Sequence, residues 1–286
     1  MLKWLHPSQK GALLSKSRAF WSFSVIELLA ACAMVSIITV AVYRQVLQPH
    51  FFFSTGALTE LQSIEAYGLT NRVSRNFEEL IIRHFLKDKR NGTFLDVGAS
   101  HYRNENNTYY LEKTLGWSGV AVEALAEYAD GYKQNRPQTR FVAMFASDVA
   151  DSKVQFFVST KDDKTSSATP DAAAGFAGGE QRREVPTTTL NAVLDQAGIA
   201  KLDFVSMDIE LAEPKALAGF DIDRFQPALV CIESQPHVRQ QILDYFAAHD
   251  YVLVGQYLRI DPHNLYFMPQ GQVGKDSVAA NTNAIR

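Results

Sequence analysis

Cysteine is scarce. Two residues in 286, Cys32 and Cys231, are too few and too far apart for a disulfide framework or a zinc site. A basic surplus is missing as well: 28 Lys and Arg stand against 31 Asp and Glu, for a net charge of -3, which argues against a nucleic-acid binder. No internal repeat is visible. The G-x-G-x-x-G cradle of a dinucleotide fold is absent from the glycine turn at residues 98–103, which reads "GASHYR", and no G-K-[ST] follows it as a P-loop would require. With 47% hydrophobic residues, the chain does not have the composition of a disordered protein.

Charge is also nearly missing from one stretch. Phe20 to Val42, "FWSFSVIELLAACAMVSIITVAV", is 23 residues long with Glu27 as its one charge. As a helix it would span about 34 Å, against about 30 Å for a bilayer core. The expectation is a transmembrane helix over 20–42, with a buried core helix as the alternative; a cleaved signal has a shorter apolar run, roughly 7–15 residues. A basic flank, 1–19, carries Lys3, Lys10, Lys16 and Arg18, while only Arg44 follows closely. That bias favours a cytoplasmic amino terminus and places the rest on the far side. A connector spans 43–73, the main domain 74–270, and a polar tail 271–286.

From Thr93 short apolar runs alternate with helical patterns, as in βαβ units around a parallel sheet. The runs are Phe94–Val97, Gly119–Val122, Arg140–Phe145, Phe204–Met207 and Ala228–Ile232. Tyr251–Leu258 and Leu265–Met268, joined by "RIDPHN", add a hairpin and bring the count to seven. Helical patterns lie at Thr108–Leu115, Leu125–Asn135, Leu190–Ala197, Glu213–Ala218 and His237–His249. Ser74–Lys89 is an amphipathic helix capped by Asn91-Gly92. Val154–Ser159 reads as an extra strand. Lys161–Glu184, rich in Gly, Ala, Ser and charge, reads as a long loop that could serve as a lid.

In an open parallel sheet ligands bind beyond the carboxyl ends of the strands. "TFLDVGAS" places Asp96, Gly98 and Ala99 there. Glu123 ends the next run, "GVAVEA". A carboxylate accepts two hydrogen bonds at once and so suits a ribose diol; a solvated strand-end acid is the alternative. Asp148, in "FASD", stands where an adenine-binding residue would lie, or is a turn aspartate. The fourth run ends "VSMDIELAEP" with Asp208 and Glu210, and the fifth ends "VCIES" with Glu233 and then His237. His101 follows the glycine turn, either facing the same crevice or lying on a surface loop.

In that order "FLDVGA", "GVAVEA", "VPTTTLNAVL", "LDFVSMDIELAEPKALAGF" and "PALVCIES" resemble the FkbM-type S-adenosylmethionine-dependent methyltransferases, over about Thr93 to Ser234. "NNTYYLEKTLGWSGVAVEA" is similar to a subgroup whose first helix carries Asn-Thr and Leu-Glu, followed by Gly-Trp. The resemblance implies an α/β, Rossmann-like, seven-stranded class I methyltransferase sheet with helices on both faces. It implies S-adenosyl-L-methionine as cofactor, with Asp96, Gly98 and Ala99 along its methionine part, Glu123 on the ribose, and Ser147 and Asp148 near the adenine. Asp208, Glu210, His101 and His237 become candidate catalytic residues, with no metal. A hydroxyl of a glycan, lipid or secondary metabolite is the implied acceptor. Two positions depart from the family pattern: Leu211 replaces a glycine and Ser206 a frequent lysine, which leaves open a degenerate domain that binds without catalysis.

"FSVIELLA", Phe23 to Ala30, also resembles the start of a mature type IV pilin, with Phe23 first and Glu27 as the pilin glutamate, although Ser22 stands where that family has glycine. A cofactor crevice has no purpose in a pilus subunit. S-adenosylmethionine is a cytosolic metabolite, so the catalytic domain is expected in the cytosol although the flanking charges favour the opposite side.

Overall fold

The computed structural model describes residues 32–36, 51–52, 73–159, 161, 166–168 and 180–273. The chain forms two units, Met1–Gln48 and Pro49–Arg286. In the first, residues 32–36 are helical and exposed. No helix among the described residues is long and apolar enough to cross a membrane; the expected span 20–42 otherwise lies outside them.

The second unit is built on one eight-stranded sheet. Its strands are β1 (Phe51–Phe52), β2 (Thr93–Val97), β3 (Ser118–Glu123), β4 (Thr139–Ala143), β8 (Phe204–Met207), β9 (Leu229–Glu233), β10 (Tyr251–Val254) and β11 (Asn264–Pro269). Their spatial order is β1-β10-β11-β9-β8-β2-β3-β4. The strands from β4 to β9 run parallel. β11 is antiparallel to both β9 and β10. Without the short β1, these are the seven strands the sequence predicts, with two corrections: the run from Tyr251 ends at Val254, where Gly255–Arg259 turns into a 3-10 helix, and the run from Arg140 breaks after Ala143, so that Phe145 joins another sheet.

Both faces of the sheet are covered, which is why its strands are continuous apolar runs rather than alternating ones. On one face Leu95, Val97, Val205, Met207, Val230 and Ile232 pack with residues of α4 (Leu190–Gln196), α5 (Glu213–Ala218), α6 (Ile222–Phe225) and α7 (Arg239–Ala248). On the other, Phe94, Phe204, Leu229 and Cys231 pack with α1 (Glu78–Leu86) and α2 (Tyr109–Leu115). A further helix, α3 (Ala129–Asn135), follows β3. Asp96 shares the face of Phe94, because side chains alternate along a strand.

A second, three-stranded sheet stands beside the first, in the order β5 (Phe145–Ala146), β7 (Glu180–Thr188), β6 (Lys153–Ser159). β6 is the extra strand expected from the sequence. β7 overturns part of the expected loop: residues 180–184 pair antiparallel with β6, from Ser159↔Glu180 to Gln155↔Glu184. The cap of α1 is also corrected. The left-handed residue that ends the helix is Lys87, at φ 52°, not Asn91-Gly92.

Candidate active site

The carboxyl ends of β2, β3, β8 and β9 open onto one crevice with two adjoining parts. The first is lined by Val97, Val122, Glu123, Tyr128, Met144, Phe145, Ala146 and Phe156, a mostly apolar slot in which Glu123 is the one acid that the second part does not share. The second is polar, lined by Glu78, Glu105, Asn107, Glu233, His263 and Asn264 among others. Gly98, Ser100, Asp208 and Glu210 line both.

The glycine turn is shaped by hydrogen bonds and by crowding. The N–H groups of Gly98 and Ala99 both point to the Val122 carbonyl, at 2.9 and 3.3 Å. Gly98 holds φ +79°, and a Cβ there would lie 1.8 Å from the Asp208 carbonyl oxygen. Only glycine lets β2 turn this close to the end of β8.

Glu123 is buried at the mouth of the slot. Its two oxygens accept the N–H groups of Ser100 (3.0 Å) and Leu125 (2.9 Å). These two bonds, one on each oxygen, fix its orientation at the slot.

Three more carboxylates meet where the two parts join. Asp208, Glu210 and Glu233 bring oxygens within 4.8 Å of one another, a spacing a cation could also bridge. Gln235 Nε2 donates to Glu210 (2.9 Å) and Glu233 (3.2 Å). Asp208 is open to crevice water, yet the protein around it strips hydration. That desolvation, then the charges of Glu233 and Glu210, holds its carboxyl well above the usual range. Glu233 is pushed up to about 7 by burial, then by Glu210 and Glu213. Behind them Glu213, fully buried, is raised to about 7, chiefly by desolvation. Its Oε1 accepts the Ile209 N–H at 3.0 Å, and its Oε2 has no partner.

The crevice thus brings together Gly98, Glu123, Asp208 and Glu210 of the sequence-predicted residues. Asp96 lies beneath it. On the α2 face of β2 it accepts hydrogen bonds from Thr108 Oγ1 (2.8 Å) and Asn106 Nδ2 (3.2 Å), so it anchors the turn instead of lining the slot. Ala99 is buried with it. Ser147 and Asp148 fall past the slot, whose wall at that strand end is Met144, Phe145 and Ala146; the Ser147 hydroxyl donates to Asp148, which is exposed. His101 spends Nδ1 on the N–H groups of Arg103 and Asn104 and stacks on Tyr102. His237 is exposed and lines neither part.

Sequence reasoning did not single out Glu78, Gln235, His263 or Asn264. Glu78 comes from α1, more than 100 residues away from Asp208 in the chain, and no local spacing announces it. Its carboxyl is raised, chiefly by burial, and accepts from Asn76 and Asn264. The expected lid does reach the site where it is described. Ser166 lines the slot. Ser167 bridges to the Phe157 backbone and donates its hydroxyl to the Glu210 carbonyl at 2.7 Å.

Among solved structures, the chain is similar to a 1,6-didemethyltoxoflavin-N1-methyltransferase from Burkholderia thailandensis, solved with S-adenosylhomocysteine, at 14% identity and TM-score 0.33, covering 86% of this chain and 90% of that one. A TehB-like methyltransferase from Corynebacterium glutamicum is 16% identical at TM-score 0.38, covering 74% and 95%. An O-methyltransferase from Bacillus cereus is 12% identical at TM-score 0.34, covering 81% and 96%. No curated protein matches the chain. The methyltransferase FkbM domain matches residues 96–253, more than half of the sequence and the whole run from the glycine turn to β10. The chain belongs to the FkbM methyltransferase family, and S-adenosylmethionine is its cofactor.

Proposed function

We propose that the protein transfers a methyl group to a hydroxyl of a polar small molecule, glycan, lipid or secondary metabolite, at the junction of the two parts of the crevice. The observation that carries this reading is the junction itself: an apolar slot ending in Glu123 meets a polar cavity rich in carboxylates, and both share Gly98, Ser100, Asp208 and Glu210.

When bound, S-adenosylmethionine supplies an electrophilic methyl group on a sulfonium. The residues present fit it. Tyr128, Met144, Phe145, Ala146 and Phe156 offer flat apolar walls for the adenine. Glu123 would accept from the ribose hydroxyls. Gly98 and Ser100 would border the methionine part. The protein's work is then to orient the acceptor, exclude water and take one proton. The carboxylates of Asp208, Glu210 and Glu233 are the groups placed to take it. Glu233, pushed up to about 7, is in the range where a general base is efficient at neutral pH. Ser166 and Ser167 stand against the site.

The membrane anchor at residues 20–42, with the catalytic unit in the cytosol, is part of the same proposal. It is supported by the length and low charge of that segment and by the cytosolic source of the cofactor.

Calorimetric binding of S-adenosylhomocysteine to the full chain in mild detergent tests the reading, with Glu123→Ala as control. Micromolar binding weakened at least about tenfold in the variant is expected, since two charge-assisted hydrogen bonds are lost. A folded chain that binds nothing would remove the proposal.

A further inference from the structure

We propose that Tyr132 and Asn106 are positioning residues for Glu123, acting through the single peptide group between Ala99 and Ser100. The inference rests on the reading of Glu123 as the ribose-holding acid and deepens it.

That peptide is gripped at both ends. Its carbonyl oxygen, on Ala99, accepts from the Tyr132 hydroxyl at 3.1 Å and faces Asn106 Nδ2 at 3.1 Å. Its N–H, on Ser100, donates to Glu123 Oε2 at 3.0 Å. Tyr132 and Asn106 are 0% and 3% exposed, so neither touches the crevice. Ser100 holds φ +46°, a left-handed conformation that a residue with a Cβ adopts at a cost. Left to itself the peptide would rotate towards an ordinary conformation. Its N–H would then leave Glu123, which also accepts from the Leu125 N–H.

Asn106 is itself held. Nδ2 also faces Asp96 Oδ2 and the Tyr132 hydroxyl, and Oδ1 accepts from the Thr108 N–H and from Arg136. Arg136, 1% exposed, pairs with Glu112 at 2.6 Å. The "NNTYYLE" stretch therefore has a physical role. Asn106, Thr108 and Glu112 build a buried frame whose output is the direction of one N–H. Low surrounding dielectric makes such a network stiff when every member is satisfied.

The test is S-adenosylhomocysteine affinity of the full chain, with melting temperature measured in parallel. Tyr132→Phe removes only the hydroxyl. Asn106→Asp keeps shape and acceptor, removes the donor and sets a second carboxyl against Asp96. Tyr251→Phe is the matched control, because it deletes a buried tyrosine bond to a backbone carbonyl, that of Pro227 at 2.9 Å, away from the turn. Tyr132→Phe should weaken binding roughly 3- to 10-fold, the scale of one lost hydrogen bond, and Asn106→Asp at least as much, since Nδ2 also faces Asp96 and Tyr132. Tyr251→Phe should leave affinity unchanged for a similar loss of melting temperature. In a Glu123→Ala background Tyr132→Phe should weaken binding no further, because the two act through one contact. Binding by the wild type with unchanged affinity in Tyr132→Phe, or losses that add in the double variant, would overturn the positioning role alone. No binding by the wild type would overturn the cofactor reading, and this inference with it.

Discussion

Arg136→Met should be among the most damaging single changes in the catalytic unit. Arg136 and Glu112 have side chains 0% and 1% exposed and meet at 2.6 Å. The guanidinium also donates to the carbonyl of Tyr102 (3.0 Å), to Asn106 Oδ1 (3.1 Å), and to the hydroxyls of Thr108 and Thr139 (3.1 Å each). Glu112 in turn accepts from the Gln138 N–H and the Thr139 hydroxyl. Removing the cation leaves a buried carboxylate with neutral donors only, and breaking such a pair costs about 3–5 kcal/mol. For a unit of this size each kcal/mol shifts the melting temperature by about 2–4 °C, so a loss of about 6–20 °C is expected by differential scanning calorimetry. Arg136→Met with Glu112→Leu should recover most of it, because an apolar pair of similar volume is often as stable as a buried ion pair. A single variant that melts within about 3 °C of the wild type would refute the reasoning. So would a double variant no better than the single one, since the damage would then lie in lost packing and not in stranded charge.

Glu213→Gln should flatten the pH dependence of stability between about 5 and 7. The folded carboxyl is raised to about 7 against 4.5, so the native state holds a proton the unfolded chain has released; stability falls as pH rises through this window, by about 3 kcal/mol, and urea titrations at pH 5 and 8 read the difference. Gly98→Ala should lose about 2 kcal/mol or more, since it combines a positive φ with a clash against the Asp208 carbonyl; a midpoint within experimental error of the wild type would contradict that crowding. Leu211 holds φ +74°, so Leu211→Gly should be more stable than Leu211→Ala by about 1 kcal/mol, the reverse of the usual order of these residues.

The strands were legible because burial on both faces leaves little choice of residue: "FLDV", "GVAVE" and "LVCIE" read as apolar runs whatever surrounds them. The acids at their ends were legible for the same reason, as charge placed where a run should stay buried. β7 was hidden by its own composition. Glu180 to Glu184, "EQRRE", is largely exposed on the small sheet, with ion pairs such as Lys153–Glu184 in water, so backbone pairing alone defines it. Direction was hidden too. Asp96 and Glu123 look alike as strand-end acids and share one face of the sheet, yet Asp96 sits within β2 against α2, while Glu123, two residues beyond its neighbour Ala121, ends β3 at the slot. Residues contributed by distant elements, Glu78 from α1 and Asn264 from β11, carry no local signal at all.

The two departures from the family pattern flank Asp208 and Glu210 in the chain and line neither part of the crevice, and each has a local accommodation. Ser206, in place of a lysine, accepts from Asn107 Nδ2 at 3.1 Å, and Asn107 lines the polar cavity. A neutral hydrogen bond therefore replaces a cation beside Asp208. Leu211, in place of a glycine, keeps the left-handed backbone that glycine would favour and packs its side chain against the core. Neither change touches the glycine turn, Glu123 or the apolar slot. Loss of a lysine next to three carboxylates leaves their protons less opposed by positive charge, which agrees with the raised carboxyls of Asp208 and Glu233. A site degenerating by drift would be expected to lose its cofactor contacts as readily as its acceptor contacts. Here neither altered position lines the crevice and both are accommodated by their neighbours, which on the proposed reading favours an active domain over a degenerate one.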